Sequence, residues 1–174
     1  MFEQKDFNFI YKYFIAEKQE SLFFIIIGVV AILLAIVCWF VIKGNPSFYK
    51  GLAVPLIILG IVQFIVGFTV YHRTDKQQAD IAYNIGIEPK TYVTNTELPR
   101  MKKVMKNFVI YRWVEIIFII VGLVLVFLFK ENGYKSFWYG LGLALTLQAA
   151  TMLAADYFAE KRGEAYTETL KGFL

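Results

Sequence analysis

The sequence holds one histidine, His72, and one cysteine, Cys38. One cysteine excludes an internal disulfide and any mechanism built on a cysteine pair. One histidine beside one cysteine cannot make a haem pair, a histidine-rich di-iron site or a typical zinc site, so no metal or other cofactor is expected. There is no glycine-rich phosphate loop, no acidic cluster of the kind that serves metal-assisted head-group transfer, and no convincing Ser/His/Asp order. These gaps point away from an enzyme. Charge is also scarce where it is usually plentiful. Charged residues make up 18% of the 174-residue chain and hydrophobic ones 58%, with a mean hydropathy of +0.55. An ordinary water-soluble domain is not that apolar.

What fills the sequence instead is four apolar runs, at 22–42, 51–71, 109–129 and 137–157, the first two without any charge. Each has the roughly 20 residues needed to cross a hydrocarbon core of about 30 Å. The expected fold is an all-α membrane protein with four transmembrane helices in one domain over 1–174. It divides into an interfacial segment at 1–20, a first hairpin with its extension at 21–86, a loop at 87–98 and a second hairpin with its extension at 99–174. The first twenty residues mix aromatics with both charge signs, which is unlike a cleavable signal.

Lysine and arginine give an orientation. The two terminal segments and the central segment carry fourteen of them, the two hairpin turns four. The positive-inside rule then puts both termini and the centre in the cytoplasm and the protein in the plasma (inner) membrane.

The halves resemble each other. KQESLFFIIIGVV at 18–30 parallels RWVEIIFIIVGLV at 112–124, matching Lys18 to Arg112, Ser21 to Glu115 and Gly28 to Gly122. SFYKGL at 47–52 parallels SFWYGL at 136–141, and HRTD at 72–75 lies over KRGE at 161–164. Apolar helices resemble one another by chance, but the shared order of turn and charge motifs favours a duplicated hairpin. Both copies would start and end on the same side, so the repeats would be parallel.

Phe7, Ile10, Tyr11 and Phe14 fall at helical spacing, which predicts an amphipathic helix lying in the interface over 1–20. The second and fourth helices extend past their apolar runs, the second toward Gly86 as a C-terminal cap. Thr94 and Glu97 fit a capping box with Pro99 in the first turn, so the third helix is expected to begin near residue 95. Arg100, Lys102, Lys103 and Lys106 would form a basic collar facing anionic head groups. A nucleic-acid site is a poor competitor because the cluster abuts a span.

Gln63 and Gln148 lie well inside their spans on comparable faces. Their expected role is hydrogen bonding between helices, with the lining of a polar pathway as the sharper alternative. At the cytoplasmic helix ends stand His72, Arg73, Arg112, Glu115, Asp156 and Glu160. Arg112 and Glu115 share a face at i,i+3, and Asp156 and Glu160 at i,i+4. The plainer reading is a mutually neutralising belt and the functional one a polar pocket. Arg112 marks the membrane boundary. Glu115, deeper and with a serine as its repeat equivalent, should be satisfied by Arg112 or by a cation on a neighbouring helix. The functional expectation is a non-catalytic protein working through protein–protein contacts, such as an immunity protein against a membrane-inserting toxin, a subunit of a larger complex, or a homo-oligomer. The alternatives are a small transporter or channel subunit using Glu115, Gln63 and Gln148, and a membrane-surface enzyme using His72.

Overall fold

The computed structural model describes residues 7–172 and 174, and the described residues form helices joined by short turns, with no strand among them. Four helical rods follow the four apolar runs: α1 (Asn8–Val41), α2 (Pro46–Ile87), α3 (Pro89–Phe129) and α4 (Gly133–Lys171), all long and apolar enough to cross a membrane. With 42 residues, α2 is about 63 Å long, roughly twice a hydrocarbon core. In all four rods the less apolar surplus lies at the end that carries the chain termini.

Two antiparallel hairpins, α1 with α2 and α3 with α4, pack side by side through α2 and α4. The central pair is therefore α2 and α4, and α1 and α3 flank it. Glycines explain why the central pair can approach. A side chain at Gly51 would run into the carbonyl of Phe137, and one at Gly140 into the carbonyl of Phe48. The same pattern closes each hairpin. A Cβ on Gly28 would lie 2.6 Å from the Gly60 carbonyl, and one on Gly142 would lie 2.6 Å from that of Gly122. Where lipid removes most of the hydrophobic drive between helices, close backbone approach is what holds them together.

Asn45 ties the two hairpin turns. It holds a left-handed backbone (φ 48°), its Oδ1 accepts from the Phe48 N–H at the start of α2 (3.3 Å), and the same oxygen accepts from Ser136 Oγ across the interface (3.1 Å). A short polar side chain is what makes that backbone tolerable. Pro55 is buried inside α2. Its missing N–H leaves the carbonyl four residues back, at Gly51, without its helical donor at the crossing itself.

At the opposite end all four helices build a true apolar core. Ile10, Tyr13 and Phe14 from α1 meet Ile81 and Ile85 from α2, Val93 and Met101 from α3, and Tyr166 and Leu170 from α4. Tyr13 and Tyr166 stack with ring centroids 4.2 Å apart.

Three expectations change here. Residues 87–98 are helical, with a break only at Glu88, and Val93–Glu97 is a π-helical turn inside α3. The extra residue of a π turn lets Val93 and Glu97 both face the core, which a loop could not specify. Glu97 consequently caps nothing and points inward. The segment 1–20, of which 1–6 lie outside the described residues, continues into the first span as one helix, because its apolar face is covered by α2 and α4. Gly86 lies within α2, which continues to Ile87.

Candidate polar site at the membrane boundary

Three arginines cross-link the helices near the terminal side of the spans. Arg73 of α2 reaches Glu17 of α1 (3.5 Å), Arg112 of α3 reaches Glu160 of α4 (2.6 Å), and Arg162 of α4 pairs with Glu20 of α1. Thr74, fully buried, donates to Glu17 Oε2 (3.2 Å), and Lys18 meets Asp75 (2.5 Å). Each guanidinium has found a carboxylate on another helix. Burial raises the Glu20 carboxyl above its ordinary value against the opposing pull of Arg162, so the pair is drawn out of water rather than displayed to it.

Two carboxyls are left over, and they meet each other. Glu115 is 3% exposed, and neither of its carboxylate oxygens accepts a hydrogen bond from a described residue. Its charged neighbour is Asp156 of α4. This overturns the expectation that Arg112 or another cation satisfies Glu115. Since α3 and α4 run antiparallel, residue 112 comes level with residue 160 and residue 115 with residue 156. Arg112 is thereby committed to Glu160, and the acid one turn deeper faces another acid.

The remaining candidates sit apart. His72 is exposed against the Phe68 ring (4.3 Å) and the Tyr71 ring (6.1 Å). Gln63 and Gln148 are 2% and 6% exposed. Among the described residues, Gln63 Oε1 finds no donor and Gln148 Nε2 no acceptor. Lys102, Lys103 and Lys106 are exposed, while Arg100 turns inward and grips Glu97 with two hydrogen bonds of 2.8 and 2.7 Å. Glu97 is fully buried and also accepts from the Tyr166 hydroxyl (2.8 Å). Burial works against the Arg100 charge, but the hydrogen bonds and proximity of Glu97 outweigh it and hold the guanidinium more firmly protonated than usual.

A groove of about 460 Å³ opens between α3 and α4. Its walls are apolar, with Ile116 and Ile119 on one side and Ala150, Leu153 and Ala154 on the other, and Arg112, Asp156 and Glu160 lie toward its terminal end. Ala150 and Ala154 are exposed, one turn apart on the same face.

Sequence reasoning singled out Arg73, Arg112, Asp156, Glu160 and Arg162 but missed Glu17 as the partner of Arg73, Glu20 as the partner of Arg162, and Glu97 as a buried acid. The signal available was Glu17 and Glu20 at i,i+3, just ahead of the first span, opposite an excess of arginine elsewhere. No three His, Cys, Asp or Glu side chains among the described residues converge as a metal site. No family model matches the chain, and neither does any curated protein or solved structure.

Proposed function

We propose that this chain is a non-catalytic multi-pass membrane protein that acts by docking another membrane protein, in the bilayer or at its inner leaflet. The observation that carries the reading is the groove between α3 and α4 with Ala150 and Ala154 along its α4 side. Small residues one turn apart on an outward helix face allow another helix to approach closely, as the glycines inside this bundle do. The rest of the fold suits a scaffold: a terminal core, the glycine crossing of α2 and α4 and the Arg162–Glu20 pair fix the two hairpins against each other. An immunity protein against a membrane-inserting toxin and a subunit of a larger assembly are the two concrete versions.

The reciprocal contact of Gly51 with Phe137 and Gly140 with Phe48 supports reading the hairpins as duplicated parallel repeats, since matched residues meet across one local two-fold axis. The lysine and arginine distribution supports cytoplasmic termini in a plasma membrane, with Lys102, Lys103 and Lys106 facing anionic lipid.

The test is a photo-crosslinking residue at position 154, compared with one at position 65 on α2, in the native membrane. A discrete protein adduct at 154 and none at 65 is expected. Lipid adducts alone at both positions would remove the reading. A small transporter or channel subunit is the second reading, favoured by Glu115 lying within a span without a cation. Reconstituted vesicles should then show a flux that Glu115→Gln abolishes, and no flux of any common ion removes it.

A further inference from the structure

The three arginines of the boundary belt are each occupied: Arg73 by Glu17, Arg112 by Glu160 and Arg162 by Glu20. Glu115 and Asp156 are the acids inside the apolar runs, and neither forms a salt bridge with a described residue. A carboxyl pair in that setting can share one proton, and the negative charge that remains is costly unless positive charge is brought to it. Protein supplies none from within: α1 offers Glu20, α3 offers Arg112 and α4 offers Glu160 and Arg162, all already paired with one another. Only one side of the pair is closed. Glu115 is buried between the helices, whereas Asp156 is half-buried and forms part of the groove wall.

The groove also fixes the shape of what can approach. Its α3 wall extends from Phe108 to Ile119, about 16 Å or three helical turns. Ala150 and Ala154 line its α4 side, and apart from Arg112, Asp156 and Glu160 toward its terminal end its walls are aliphatic and aromatic. A hydrated inorganic ion gains nothing from such walls. Two helices with small residues facing outward between them form a seat for a third helix.

We infer that the groove between α3 and α4 receives a transmembrane helix of a partner protein whose single lysine or arginine enters beside Asp156 and neutralises the Glu115–Asp156 pair. This rests on the docking function proposed above and adds the partner's chemistry to it. The apolar lining supplies the contact, and the carboxyl pair selects which helix is accepted and in what register. A neutral helix would leave the remaining negative charge uncompensated, and an acidic one would be repelled.

The experiment uses the full chain in phosphatidylcholine vesicles and three synthetic single-span Ala/Leu peptides. They are identical except for a Lys, Leu or Glu one to two turns from one end of the hydrophobic stretch. Energy transfer from the protein's tryptophans to a dansyl group on the peptide reads association. The lysine peptide should associate at least tenfold more tightly than the leucine peptide, and the glutamate peptide least. The variant carrying Glu115→Gln and Asp156→Asn should bind lysine and leucine peptides alike. The variant Ala154→Leu should weaken both. Equal binding of lysine and leucine peptides, with Ala154→Leu still weakening both, overturns the charge-selected partner and leaves groove docking intact. No association of any peptide, or association that Ala154→Leu does not alter, overturns the docking function and the inference together. Saturable binding of dodecylamine that depends on Glu115 and Asp156, with no lysine-peptide preference, makes the occupant a free amine and also overturns the partner helix. A thermal unfolding curve of the double variant as cooperative as that of the parent excludes misfolding as the cause.

Discussion

Arg100 and Glu115 show how differently one charge can be treated within the same helix. Glu97 is 1% exposed at its side chain, and Arg100 and Tyr166 satisfy it. Replacing Arg100 with alanine strands that carboxylate in the core, which should cost about 3 kcal/mol. Arg100→Lys should recover only part of this, because an ammonium cannot reproduce the two-pronged contact. Denaturant unfolding in mild detergent measures both, and an alanine variant as stable as the parent would contradict the assignment. Glu115 should behave in the opposite way. Glu115→Gln removes a buried carboxyl that has no cation, so the purified chain should melt at a higher temperature with the amide than with the acid. A melting temperature several degrees lower would mean that Glu115 holds a structural partner after all.

Between elements, the glycines divide into those with neighbours and those without. At Gly51 a side chain meets the Phe137 backbone, so Gly51→Leu should push α2 from α4 at a cost of about 1–3 kcal/mol. At Gly86 nothing lies within 4 Å and φ is not positive, so Gly86→Ala should be neutral or stabilise by up to about 1 kcal/mol. Thermal melts of the two variants should move in different directions. The sequence made the four rods plain, because long apolar runs need no tertiary information, and it matched SFYKGL to SFWYGL without revealing that Gly51 and Gly140 meet the facing helix's backbone. It concealed the π turn at Val93–Glu97. The polar string around it looks like loop, and only the apolar core built by the other three helices shows why Val93 is drawn inward. It also concealed the partner of Glu115. Spacing along α3 makes Arg112 the obvious neighbour, and the competing claim of Glu160 comes from a helix 48 residues away.

For the whole molecule, the terminal core makes stability depend on alkaline pH. Burial, aided by the charge of Glu17, pushes the Tyr13 hydroxyl from its ordinary 10.0 up to about 12. Burial and Glu97 raise Tyr166 still more strongly. The folded protein therefore holds these protons more tightly than the unfolded chain does. The contribution of Tyr13 is intact below pH of about 10 and is lost as pH rises toward about 12, while that of Tyr166 starts to fall at the same point and continues to fall beyond it. Tyr13→Phe should flatten that decline, and chemical unfolding at several alkaline pH values would show it. A decline beginning near neutrality would point to other groups.

The two hairpins are fastened to each other at both ends, by Asn45 with the glycine crossing at one and by the nine-residue core at the other. A seam held most firmly toward its ends yields first in its middle, like a plank supported at two trestles. The middle of this seam carries Gln63 and Gln148, whose amides each have an unmatched atom and so give up little when they part. Transient separation of the hairpins should accordingly begin halfway along and spread outward, and any water that enters the bundle should be found first beside those two amides.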